Sequence, residues 1–343
     1  MSAVQAAWLR DDELDEWAGF VASSPTGSPY SLPAYLRALC RATGARFRVL
    51  GARLGDDLVG GIAVYERPTR LGVVVAPRLL LYYNGLVLRE ETTRYPSERT
   101  SRELRTVEAL LDALEGEGYR RLELRSRPPL RDGRAFSARG WSLAPSWTYV
   151  VPLEDLGAQW DRVEGNLRRL VRRCERDGFT VTQDDDFDAL YDLHAGIHDR
   201  TGAALYLPRD AFRAFYEELR AVGLCALYHA RAPGGEVGAS QLVLLGHPVA
   251  HTVAAGTDPR HAKAGAAPFL RWRALEDLAA RGHVGNDLTD ASLASVARFK
   301  AALGAELDLS LVAVRSGAVD RTAGAVRAAA LSARDGARRM RGS

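Results

Sequence analysis

One short pattern occurs twice, about half a chain apart: Ala52-Arg53-Leu54-Gly55-Asp56-Asp57-Leu58-Val59-Gly60 and Ala230-Arg231-Ala232-Pro233-Gly234-Gly235-Glu236-Val237-Gly238. In each copy an apolar run enters a turn of Gly, Asp or Pro and leaves as a second apolar run, which is the signature of a β-hairpin. The paired runs are 47–54 with 58–65, and 224–230 with 237–245. Helical spacing precedes the first hairpin at 11–21 and 32–42, and the second at 160–176, 187–200 and 209–221. Strands are expected at 78–83 and 122–125, with a helix over 101–115 between them. A repeated order of this kind, at a period of half the chain, predicts duplication of one domain. The fold class is therefore α/β with mixed sheets, in two tandem domains over 1–150 and 151–315, followed by an Ala- and Arg-rich helical tail over 316–343.

Length agrees, because 343 residues exceed what a single core usually serves. With 26% charged residues and no run near the ~18 apolar residues that span a bilayer, the chain reads as soluble. Arg10, Asp11 and Asp12 interrupt the start before any apolar stretch, so no signal peptide is expected and the location is cytoplasmic. Cys40, Cys174 and Cys225 are widely spaced and odd in number, which suggests buried free thiols in place of disulfides or a zinc site. His194 and His198 lie four apart on a helix, but no third ligand accompanies them, and no metal is expected. The acidic run 184–186 is expected to cap the helix that follows it.

Lysine is nearly absent: Lys263 and Lys300 are the two among 46 basic residues. Lys300 sits in Ala297-Arg298-Phe299-Lys300-Ala301-Ala302-Leu303-Gly304, after Asn286-Asp287-Leu288-Thr289-Asp290. An apolar strand ending in Asp287 and a polar loop leading to a short helix place Phe299 and Lys300 near a strand's carboxyl end, where α/β sites lie. This arginine-phenylalanine-lysine-x-x-x-glycine run resembles the Fem family of aminoacyltransferases and its relatives among the GNAT acyltransferases. The resemblance implies tandem GNAT-like domains, of which the first is degenerate. It also implies Lys300 as the electrostatic catalyst, with Phe299 as a wall of its pocket. A cation beside a developing oxyanion contributes ~3 kcal/mol. Asp287 is a candidate general base by position.

A second signal is the basic helix with Asn166, Arg168 and Arg172, whose guanidinium forks suit phosphate and whose pattern matches an asparagine-and-basic helix of the Fem family. A third is the loop Arg260-x-x-Lys263-x-Gly265 before a helix, which resembles the coenzyme A pyrophosphate loop of GNAT enzymes but has lysine where the first glycine belongs. That departure favours aminoacyl-tRNA over acyl-CoA as donor. Tyr82, Tyr83 and Asn84 of the first half are expected to shape the acceptor cleft. The implied reaction is amide formation on an amine of a small molecule or peptidoglycan precursor, without a covalent enzyme intermediate or resident cofactor. The rivals are an acyl-CoA-dependent N-acyltransferase and a catalytically inactive module binding phosphate or RNA.

Overall fold

A computed structural model describes residues 3–78, 80–201, 205–289 and 294–317, so most of the expected tail lies outside the described residues. The first half contains β1 (Val4–Trp8), α1 (Leu14–Ser23), α2 (Pro33–Thr43), β2 (Arg46–Leu54), β3 (Asp57–Thr69), β4 (Gly72–Val75) and β5 (Leu86–Leu88). It continues with α3 (Pro96–Gly116), β6 (Arg121–Ser126), α4 (Arg134–Ala138) and β7 (Ser142–Pro152). The second half contains α5 (Leu156–Arg162), α6 (Gly165–Arg176), β8 (Thr180–Gln183), α7 (Phe187–Thr201), α8 (Arg209–Ala221), β9 (Cys225–Arg231), β10 (Val237–Leu244) and β11 (Val249–Thr257). It ends with α9 (Pro259–Ala262), α10 (Ala266–Ala280), β12 (Gly285–Asp287), α11 (Ala294–Ala302) and β13 (Glu306–Ser316).

Both hairpins form where the repeat places them, β2 against β3 and β9 against β10. The strands join in one 13-stranded mixed sheet among the described residues. Its continuity comes from the end of the chain: β13 inserts between β6 and β7, pairing with β6 over 311–316 and with β7 over 306–314. β7 also pairs with β12. Position 150/151, the expected boundary, therefore falls inside a strand that both halves use.

Three apolar cores hold this arrangement. One belongs to the first half and contains Leu110, Leu111 and Leu114 of α3. Another belongs to the second half and contains Leu167 and Val171 of α6 with Phe269 and Leu275 of α10. The third is shared: Trp17, Tyr35 and Leu36 of the first half pack with Phe187, Phe212 and Phe215 of the second. On α8 the apolar residues Phe212, Phe215, Tyr216 and Leu219 recur at three and four, which turns one stripe into that shared core. Each such buried side chain stabilises by about 1.5–3 kcal/mol, so the halves are fixed against one another by packing.

Two sequence expectations are corrected here. Residues 80–83 form no strand but a connection that begins in a turn, with the Leu81 amide bonded to Arg78 O at 3.0 Å, and the place beside β3 is taken by β5. The helix expected over 160–176 is broken into α5 and α6 at Val163 and Glu164, where the Glu164 amide leaves the helix to bond Ala302 O at 2.9 Å. The acidic run does cap α7, since Asp186 accepts from the Ala189 amide. All three cysteines are buried and free, and burial raises the Cys40 and Cys225 thiols to about 12 and that of Cys174 to about 11.

Candidate active site

β11 and β12 run parallel for three residue pairs, ending at His251 and Asp287. Beyond His251 the β11 strand continues to Thr257, while the other chain turns away, so the sheet splays open along the β11 edge. Side chains from three elements hold the carbonyls of that edge. Thr289 Oγ1 donates to Thr252 O at 3.1 Å, Tyr82 OH to Val253 O at 3.4 Å, and His194 Nδ1 lies 3.3 Å from Ala255 O. α7 reaches the strand because Gly256 has no side chain. A Cβ there would lie 2.5 Å from Leu193 C and 2.7 Å from His194 N.

Lys300 enters this opening from α11, its ammonium donating to Thr289 O at 2.5 Å. Phe299 packs on the second-half core beside it. The glycine of the motif, Gly304, has φ +77°, and a Cβ there would come within 2.7 Å of Gln159 Nε2 and 3.1 Å of the Arg162 carbonyl carbon. It lets the end of α11 lie flat on α5, which fixes where Lys300 begins.

Asp287 anchors the base of the splay. Thr148 Oγ1 and the Thr289 amide (2.7 Å) donate to its Oδ1, and Tyr83 OH donates to Oδ2 at 2.8 Å. Burial, and then the Asp287 charge, push the Tyr83 hydroxyl well above the usual tyrosine range, so it remains a donor. Asp287 is 1% exposed, with two donors on Oδ1 and one on Oδ2. Thr289 is a β-branched residue at φ +54°, a conformation costing ~1–3 kcal/mol that persists where surrounding bonds impose it. Here its amide, hydroxyl and carbonyl are all engaged, the last by Lys300.

Sequence reasoning therefore selected residues that the fold brings together: Lys300, Asp287, Tyr83 and Tyr82 surround one opening. Asn84 is corrected. It is 1% exposed and turned to the first-half sheet, donating Nδ2 to Glu123 O and accepting the Arg125 amide on Oδ1, each at 2.9 Å. The equivalent splay of the first half, where β4 leaves β6 after Val75 and Leu122, is thereby filled by the chain itself. The phosphate expectations are corrected in part. Arg260 is clasped by Asp258, with Nη2 to Oδ2 at 2.6 Å. The Gly265 amide bonds His261 O and Ala262 O, and Arg173 takes Lys263 O. Lys263 itself is exposed. Asn166 accepts the Leu167 amide, Arg172 lies 5.7 Å over the Trp160 ring, and Arg168 is 3.5 Å from Asp161. These three form a surface of α6 away from the Asp287 bonds.

Residues missed from the sequence are Thr289, Thr148, Tyr206 and His194 as a site group. Tyr206 OH lies 3.0 Å from Tyr82 OH, and its ring packs against those of His194 and His198. No group of three metal-ligating side chains forms among the described residues. No described helix is long and apolar enough to cross a membrane.

The parting strands β11 and β12 and the β9–β10 hairpin lie within residues 161–301, which match the family model "Acetyltransferase (GNAT) domain", so the chain carries an acyltransferase domain of the GNAT type. The whole chain has the Fem-like tandem form of that fold. It is similar to FemX at TM-score 0.73 and 11% identity, over 90% of this chain and 96% of that one. It is also similar to the C-terminal domain of a putative lysylphosphatidylglycerol synthetase from Agrobacterium fabrum (TM-score 0.56, 15% identity, 90% and 94% covered). A tandem GNAT protein from the clavulanic acid biosynthesis pathway gives TM-score 0.52 and 14% identity, with 91% and 98% covered. No curated protein matches the chain.

Proposed function

We propose that this acyltransferase moves an aminoacyl group from aminoacyl-tRNA onto an amine, in a single open splay of the second half. The observation that carries the reading is Lys300, held on Thr289 O at the mouth of the gap between β11 and β12. The neutral amine adds to the ester carbonyl, its nitrogen pair forming the new C–N bond. Lys300 steadies the oxyanion, and the ribose oxygen leaves with the former C–O pair. Asp287 positions Tyr83 and Thr289, and through Thr289 it positions Lys300. Tyr82 and Tyr83 close the gap from the first half, which keeps water from the ester. The first half, its own splay filled around Asn84, acts as a wall and holds no donor.

The donor assignment rests on the 258–265 loop. Arg260 and the Gly265 amide are spent on internal bonds, so the loop offers little to a coenzyme A pyrophosphate. Arg168 and Arg172 on α6 would then meet phosphates of a larger donor. Fem-like and lysylphosphatidylglycerol-synthetase-like folds are consistent with aminoacyl transfer to a cell-wall precursor, a lipid or a small amine, and such a donor places the reaction in the cytoplasm. The name of the matching family model favours acyl-CoA as the second reading. Radiolabelled aminoacyl-tRNA with a panel of amines, set beside a calorimetric titration of acetyl-CoA, separates the two. Lys300→Met should lower kcat about 100-fold with donor affinity held, and unchanged turnover removes the assignment.

A further inference from the structure

His194 has a feature that packing alone does not explain. Its side chain is 4% exposed, and Nδ1 faces the carbonyl oxygen of Ala255. A carbonyl only accepts, so Nδ1 carries the proton and Nε2 presents a bare lone pair. That Nε2 is buried and has no hydrogen-bond partner among the described residues. Leaving such an acceptor dry is costly unless something arrives to donate to it. The imidazole, carried by α7, is held against the strand that forms the site. Ala255 lies three residues along the same open β11 edge from Thr252, whose carbonyl holds Thr289 and, through it, Lys300.

We propose that His194 Nε2 is the proton acceptor of the transfer. When the amine has added to the carbonyl, its nitrogen carries a positive charge and one proton too many. Nε2 takes that proton, the C–O bond to the ribose breaks, and the imidazolium returns the proton to the leaving oxygen. Atoms and charge balance without a further reactant. Burial, and then the neighbouring His198, lower the imidazole to about 4, which keeps it neutral and ready to accept near neutral pH. Gly256 sets the position, since it alone allows α7 to bring His194 onto the strand.

The inference rests on the acyl-transfer reading, and the test keeps the two apart. The wild-type chain is first assayed with aminoacyl-tRNA and acyl-CoA on the amine panel. No transfer with either donor ends the acyl-transfer reading and this proposal with it. With transfer established, His194→Asn keeps an amide to donate to Ala255 O but removes the lone pair. It should lower kcat by about 100-fold or more with KM little changed. A folded variant within about threefold of wild-type kcat overturns the proposal. Should the variant fold poorly, NMR of the wild-type chain with 15N-labelled histidine decides. A proton on Nδ1, with an Nε2 resonance that moves when the acceptor binds, is expected. A proton on Nε2 overturns the role.

Discussion

Replacing Asp287 in two ways distinguishes a residue that shapes the site from one that does the chemistry. The carboxylate carries three donors: Thr148 Oγ1, the Thr289 amide and Tyr83 OH. In Asp287→Asn the remaining oxygen still accepts from Thr148 and Thr289. The new amide donates to the Tyr83 oxygen, whose hydroxyl turns to suit. The loss is that of charge assistance, about 1–2 kcal/mol. Asp287→Ala instead strands all three donors, which are 1–5% exposed. At ~1–3 kcal/mol for each, with partial relaxation, the cost is about 3–5 kcal/mol. Releasing Thr289 from its strained φ also frees Lys300. Stability is read from urea unfolding and catalysis from initial transfer rates. The expected pattern is Asp287→Asn within about tenfold of wild-type kcat, and Asp287→Ala impaired in both stability and rate. Asp287 also lies in the wall of a cleft of ≈ 460 Å³ with Arg127 and Gly285, which makes the base reading the alternative to be tested. If Asp287→Asn loses 100-fold or more in kcat at near-native stability, the carboxylate is a base and the positioning argument fails.

Two further outcomes follow from packing and titration. Gly256→Ala drives a Cβ into the Leu193 backbone, so it should cost about 1–3 kcal/mol in urea unfolding and reduce kcat by displacing His194; an unaltered midpoint would show that α7 yields freely. His194 and His251 are both held neutral by burial, at about 4, below the unfolded value near 6.5. Their contribution is complete above pH 6.5 and is lost as pH falls from there to about 4, because the unfolded chain binds protons the folded chain refuses. Stability should decline by about 1.4 kcal/mol per pH unit for each imidazole across that window. His251→Phe, which keeps the ring contacts to Tyr30 and Tyr83, should flatten the decline by that one imidazole's share, and an unchanged slope refutes the assignment.

The two hairpins and the α8 stripe were legible because their signals are local: turn residues at a fixed offset, and apolar residues at three and four. The Lys300 motif was legible for a related reason, since Gly304 and Phe299 mark a short helix that must lie flat on its neighbour. The insertion of β13 between β6 and β7 was not legible. It joins residues nearly two hundred positions apart, and nothing in 306–316 names its partner. Tyr82 and Tyr83 were expected at the acceptor cleft together with a strand over 78–83, which would have tied up their backbone and does not form. Asn84 was expected beside them in the acceptor cleft. It is instead a peptide mimic, satisfying β6 where a neighbouring strand would. Thr289 and His194 were invisible, because positive φ and a missing hydrogen-bond partner are properties of tertiary structure.

The contrast between the two splays explains why a duplicated chain would keep both copies. In each half a parallel pair parts after two or three residues, leaving a strand edge with unpaired peptide groups. Such an edge is expensive when buried, so something must occupy it. In the first half the chain does so permanently, through Asn84 and β5. In the second half, among the described residues, the edge is met by side chains, and two of those around it, Tyr82 and Tyr83, come from the connection that runs into Asn84. The segment that closes one gap thus furnishes the wall of the other. Filling the first splay fixes the connection at Asn84, and that fixed point aims the two tyrosines at β11 and Asp287. The first half is on this account part of the site, and its removal would take away two of the donors that define the opening.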